Sequence, residues 1–164
     1  MRAVIQRVKS ASVTVDGAVV SSIGPGLVVL VGIGGDDTKE DAEYVAGKCL
    51  RARLFPGASG EGGATNWDGA KPWDRSVMDI DGEVLFVSQF TLHGYFKGNR
   101  PDFHRAMAPE SAKAFYRDFL ACARETVYAG KGTRIKDGIF GAKMDVALVN
   151  DGPVTLLMDS RDRK

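Results

Sequence analysis

Ser88, Gln89 and Thr91 stand within four residues of one another in "VSQFTL", directly after the apolar run "EVLFV". Hydroxyls and an amide are unusual where a buried strand should end. In a regular strand Ser88 and Phe90 share one face, and Gln89 and Thr91 share the other. They can serve one site only if the strand bends or ends near Phe90. A strand that ends there leaves main-chain N–H groups without partners. An aimed pair of such groups is an oxyanion hole. Hydroxyls and free amides, with no obligatory acid–base residue nearby, point to hydrolysis assisted by the backbone. Ser88, Gln89, Phe90 and Thr91 are therefore the candidate catalytic residues.

A second unusual stretch is "NDGPVT", from Asn150 to Thr155. Gly152-Pro153 before an apolar strand reads as a turn, and the bond between them is a candidate for the cis form. A cis bond would turn both flanking carbonyls the same way, a double acceptor suited to an ammonium group. Asn150 stands beside this element.

Other signals carry less. The glycines of "VGIGGDD" do not make a dinucleotide fingerprint, because Asp36 and Asp37 would face a phosphate with negative charge. A tight turn explains them. His93 lies two residues after Thr91, so a hydroxyl–histidine pair is conceivable. The expectation is an exposed loop histidine. His104 is the only other one. No cluster has metal-ligand spacing, so neither a metal nor a cofactor is expected. "HGYFKGNRPDFHR" interleaves Lys97, Arg100 and Arg105 with Tyr95, Phe96 and Phe103. That mixture suits a single-stranded nucleic-acid end, or a solvated loop with aromatic anchors.

The elements that must position these residues follow from pattern. "AVIQRVKSASVTVDGAVVSSI" alternates apolar and polar, with a hairpin turn at Asp16-Gly17. "GPGLVVLVGIG" suits a strand covered on both faces. Thr38 opens a helix whose stripe is Ala42, Val45, Ala46, Cys49 and Leu50. A strand pair is expected around Asp81-Gly82. A second helix runs from Pro109 to about Tyr128, with Gly130 beyond its end. Three strands close the chain: "TRIKDGIFGA", "KMDVALVN" and "PVTLLMD". Hairpins outnumber strand–helix alternations. The expected fold is therefore α+β, a mostly antiparallel twisted sheet or partial barrel with two packed helices.

At 164 residues this is one domain, residues 1–164, long enough to bury a core without staples. Residues 56–75 are Gly-rich and aperiodic, an inserted accessory loop, with Trp67 and Trp73 expected to pack back on the body. A hydrophobic share of 44% and a charge of +1 fit a soluble protein and exclude a strongly basic nucleic-acid coat. Cys49 and Cys122 read as buried free thiols. No leader opens the chain, and no apolar run approaches the roughly 18 residues of a membrane span. No membrane association is expected, and the expected compartment is the cytoplasm.

In these segments the chain resembles the D-aminoacyl-tRNA deacylases. "MRAVIQRVKSASVTVDG", "GLVVLVGI", "SQFTL", "KGNRP", "GIFGAKM" and "NDGPVT" are similar to family segments in family order. The resemblance implies a deacylase-type fold and a homodimer. It also implies hydrolysis of the ester between a D-amino acid and the 3′ end of tRNA. It implies that Ser88 to Thr91 line the pocket, with the main chain near Phe90 stabilising the oxyanion. The nucleophilic role falls either to Thr91 or to the terminal ribose's own 2′-hydroxyl. Gly152 and Pro153 would reach into the partner subunit's site, hold the substrate amino group and block L side chains. Glycyl-tRNA would pass this filter. Met144 would help bound the adenosine pocket. The stretch between Leu54 and Val77 departs from the family pattern. The alternatives are a non-catalytic nucleic-acid-binding dimer on the same fold and a general esterase using His93.

Overall fold

The alternating N-terminal run forms one long strand, β1 (Arg2–Val15), which turns into β2 (Ala18–Ile23). Asp16 and Gly17 sit at φ 49° and 78°, the left-handed pair that a tight hairpin turn requires. The computed structural model describes residues 1–57 and 70–163. β3 (Gly26–Gly32) runs antiparallel to β1, with Ala3 opposite Val31 and Ile5 opposite Val29. It is buried on both faces, as its unbroken apolar run predicts.

Helix α1 (Lys39–Arg51) starts at Thr38, where a capping box joins Thr38 and Asp41. β4 (Glu83–Ser88) follows, then a short hairpin of β5 (Tyr95–Lys97) and β6 (Arg100–Asp102). Helix α2 spans Pro109–Ala121, with Pro109 in its first turn. β7 (Ile135–Asp137) and β8 (Asp145–Asp159) complete the chain. The main sheet runs β2-β1-β3-β4-β7, and β8 pairs with the other edge of β1.

The α+β expectation of a curved sheet under two helices holds. The larger core lies between the sheet and the helices, and includes Ile5, Val29, Phe86, Leu50 and Phe119. Phe86 meets Phe119 edge to face at 5.0 Å, a contact worth about 1 kcal/mol beyond its burial. A second cluster lies on the opposite face of the sheet and includes Val8, Val13, Val28, Leu85 and Val87.

Several local expectations are corrected. The joins of β4 to β3 and to β7 are parallel, so the sheet is mixed within its antiparallel majority. Asp81 and Gly82 end a run of turns, not a strand hairpin: Gly82 N bonds Val77 O at 2.8 Å. "KMDVALVN" and "PVTLLMD" merge into β8, whose register against β1 shifts between Gln6 and Ser10. Only Ile135–Asp137 of "TRIKDGIFGA" is strand. The second helix is α-helical to Ala121 and continues as a π turn over Cys122–Val127. Both cysteines are free, Cys49 buried and Cys122 partly so. Trp73 keeps 50% of its surface exposed, so it packs back only in part, and Trp67 lies outside the described residues. Among the described residues no helix is long and apolar enough to cross a membrane.

Candidate active site

β4 carries the opening motif to the rim of the sheet. Val31 pairs with Ser88 at the end of the β3–β4 ladder. The Gln89 amide still bonds Val31 O at 2.7 Å. Gln89 then takes φ −145° and ψ 82°, and Phe90–His93 form one 3-10 turn. This is the strand end the residue types call for. The first N–H groups of such a turn have no acceptor inside it. Leu92 N bonds Gln89 O and Gly94 N bonds Thr91 O. The amides of Phe90 and Thr91 have no partner among the described residues. Two adjacent orphan donors at a strand end are what an oxyanion hole needs.

Phe90 lines a pocket of about 600 Å³. Ser88, Gln89 and Phe90 form one wall, and Phe103, Phe140 and Met144 are among the residues lining the rest. The start of α2 and the glycine-flanked segment before β8 close it. Phe90 remains 57% exposed at the rim, its ring edge-on to Phe103 at 5.1 Å. No described residue lining this pocket is ionisable.

Thr91 stands just outside the lining, its hydroxyl 2.5 Å from Gln89 Nε2. His93 is neither exposed nor in the pocket, which corrects the expectation. It is half-buried behind the turn, where a methyl group on Gly34 would come within 3.0 Å of its ring. Burial, the largest influence, lowers its pKa from the ordinary 6.5. The tight turn expected at "VGIGGDD" is present, with Gly34 N donating to Asp37 Oδ2 at 2.6 Å.

Asn150, Gly152 and Pro153 are not brought to this pocket. Gly152 and Pro153 form an exposed kink in β8, with Asn150 half-buried beside it. Asn150 Oδ1 accepts the Val154 amide at 2.9 Å, and its Nδ2 reaches Thr155 at 3.3 Å. The Gly152–Pro153 bond is cis. The kink is anchored from below by Arg7, which is fully buried and pairs with Asp151 at 3.0 Å. Arg7 and Asp151 were not among the candidates. The signal was present: Arg7 shares the inward parity of Ala3 and Ile5, and a cation at an inward position needs a buried partner.

The sheet thus brings a polar strand end to an apolar pocket whose described lining holds no ionisable side chain. The chain belongs to the D-Tyr-tRNA(Tyr) deacylase family, whose pattern matches residues 4–159. A Dictyostelium discoideum protein named D-aminoacyl-tRNA deacylase is 55% identical over 163 residues, covering 99% of this chain and 100% of that protein. Human D-aminoacyl-tRNA deacylase 1 is 48% identical, over 98% of this chain and 70% of its own length. The solved structure titled c-Myc DNA Unwinding Element Binding Protein superposes with TM-score 0.84 at 46% identity, covering 97% of this chain and 98% of that one. The fold is shared as well with a probable eukaryotic D-amino acid tRNA deacylase, at TM-score 0.78 and 20% identity, over 96% of this chain and 97% of that one.

Proposed function

We propose that this protein hydrolyses the ester joining a D-amino acid to the terminal adenosine of tRNA, releasing the D-amino acid and free tRNA as a proofreading step in translation. The observation that carries this reading is the pair of free amides at Phe90 and Thr91, the first of them on a residue that lines a pocket with no ionisable side chain among its described walls. An ester needs no strong leaving-group acid, and the tetrahedral oxyanion formed by water attack is what such donors stabilise. The substrate's own 2′-hydroxyl, vicinal to the ester, is held where a protein base would otherwise be required. Ser88 and Gln89 orient the aminoacyl group. Phe140 and Met144 offer an apolar wall to the adenosine.

Chiral selection is assigned to Asn150, Gly152 and Pro153 of a second copy of the chain. Their distance from the protomer's own pocket supports a contribution across a dimer. β8 carries exposed apolar residues on either side of the kink, including Val149 and Leu157, the latter 84% exposed. Such a patch suits self-association. The element holds the substrate ammonium and excludes L side chains by clash, the stronger route to discriminating near-isosteric substrates. Glycyl-tRNA passes the filter, and the site of action is the cytoplasm.

The test is release of amino acid from D- and L-tyrosyl-tRNA and from glycyl-tRNA. Cleavage of the D and glycyl esters with the L ester intact supports the proposal, and equal rates on both tyrosyl enantiomers refute it. The alternative, a nucleic-acid-binding dimer without catalysis, draws on the name of the 46% identical structure. It predicts that all three esters survive.

A further inference from the structure

The β5–β6 hairpin is a two-stranded sheet of its own and joins neither hydrophobic cluster. An isolated hairpin is marginally stable in water, yet this one is held by a dense polar network. Asp102 accepts from Lys97 Nζ at 2.9 Å and from the His104 amide at 3.0 Å, and His104 Nδ1 lies 2.5 Å from it. The Asp102 carboxyl is held well below its ordinary pKa, first by the His104 amide and then by Lys97. The Tyr95 hydroxyl meets His104 Nδ1 at 2.9 Å, and the Arg105 guanidinium lies 4.5 Å over the Tyr95 ring. The base is tied down by Gly35 N bonding Arg105 O at 3.0 Å and by the bridge between Gly34 and Ala106.

The hairpin's outer surface is not used by the protomer. Phe96 is 78% exposed. Arg100 and Arg105 are exposed and pair with no carboxylate among the described residues. The segment holds three cations, Lys97, Arg100 and Arg105, against one carboxylate, which Lys97 and His104 already occupy. Phe103 and Ala106 line the pocket. Arg100 lies three residues from Phe103, roughly 10 Å along an extended chain.

We infer that this hairpin docks the single-stranded 3′ end of the tRNA just upstream of the terminal adenosine, with Phe96 stacking on a base and Arg100 and Arg105 meeting phosphates. An exposed aromatic flanked by arginines fits unstacked bases, whose faces and phosphates are both accessible. A duplex would hide its base faces from Phe96. An acidic peptide would use the cations and leave Phe96 without a role. The inference rests on the tRNA-ester reading of the neighbouring pocket and adds a second contact region to it.

The experiment compares wild type with the triple variant Phe96→Ser, Arg100→Gln, Arg105→Gln on D-tyrosyl-tRNA and on D-tyrosyl-adenosine, which lacks the upstream nucleotides. Binding of uncharged tRNA across a salt series is measured in parallel. KM for the tRNA ester should rise about tenfold or more with kcat retained. The slope of log affinity against log salt should become shallower by about 1.4, for two phosphate contacts on a single strand. Hydrolysis of the adenosine ester should stay within about twofold, since no removed group reaches beyond the phosphates. Unchanged KM and slope would overturn the inference. So would an equal loss on both esters, which places the effect inside the pocket. Arg100→Gln alone, at the exposed tip, should give part of the same KM rise if the triple variant is unstable. Wild-type protein that cleaves neither ester refutes the proposed function, while the salt series still tests the hairpin.

Discussion

Arg7 Nε lies 3.0 Å from the Asp151 carboxylate, so a fully buried cation on β1 holds the turn that carries Gly152. Arg7 Nη1 also donates to Leu54 O at 2.6 Å, and the guanidinium lies 5.8 Å from the Phe55 ring. Asp151→Asn removes the counter-charge and leaves the cation buried. It should cost about 3 kcal/mol, the usual penalty for breaking a buried pair from one side. The urea midpoint of unfolding measures it. An unshifted midpoint would show that the pair does not anchor the kink.

Gly152 sits at φ +126°, and a methyl group there would meet Val154 Cγ2 at 2.8 Å and Val154 N at 3.0 Å. Gly152→Ala is therefore strained both in backbone and in space. It should destabilise by about 1–3 kcal/mol. Because the kink must move to relieve the contact, D-aminoacyl-tRNA hydrolysis should fall more than stability alone accounts for. Wild-type activity in this variant would remove the kink from the site.

Phe90 is the first residue of a 3-10 turn, a position where proline's fixed φ is compatible; the change removes the N–H together with the ring against Phe103, so Phe90→Ala, which keeps the N–H, is the control. Phe90→Pro should lower kcat about a hundredfold or more, the cost of one oxyanion donor. Thr91→Ala should keep measurable activity, since no described base touches its hydroxyl, only Gln89. A substrate ending in 2′-deoxyadenosine should react slowly with wild type. Full activity on that substrate, with none in Thr91→Ala, would assign the nucleophile to the protein.

His93 is withdrawn from the pocket behind its own turn. His93→Gln should leave the rate within about tenfold, whereas loss of a general base costs roughly a hundredfold or more. Burial lowers its pKa below 6.5, so the imidazole is neutral at neutral pH. A pH–rate profile whose acid limb vanishes in His93→Gln would restore the histidine as the base.

Asp41 links stability to pH. Burial would raise its pKa, but the amide and hydroxyl of Thr38, Ser160 and Arg163 together hold it well below the usual 3.8. A carboxyl depressed on folding adds stability above its unfolded value near 4, lost as pH falls toward the folded one. Asp41→Asn should cost about 1–2 kcal/mol between pH 5 and 7 through loss of the cap. The gap to wild type should begin to narrow below about pH 4 and be smaller at pH 3 than at pH 5. Urea unfolding at pH 7, 5 and 3 reads this directly, and a gap that widens in acid would contradict it.

Features that depend on a few neighbouring residues were legible in the sequence. The Asp16-Gly17 hairpin, the doubly buried β3, the Thr38 cap and the stripes of both helices follow from period and turn chemistry. The strand end at Ser88 follows from polar residues where an apolar run should continue. Features that depend on distant pairing were not legible. Asp81-Gly82 looks like any hairpin turn, and only the absence of a strand among the described residues just before it makes it otherwise. β4 is apolar on both faces in either direction, so its parallel entry beside β3 leaves no trace in its composition. Arg7 shows its inward parity locally, but its partner lies at Asp151, on a strand that pairs β1 from Arg2 opposite Asp159 to Thr14 opposite Asp145. A side chain's face is set by its own backbone. The strand that covers that face is set by which long-range pairing buries the most apolar surface while satisfying every polar group, and that choice exists only in the folded whole.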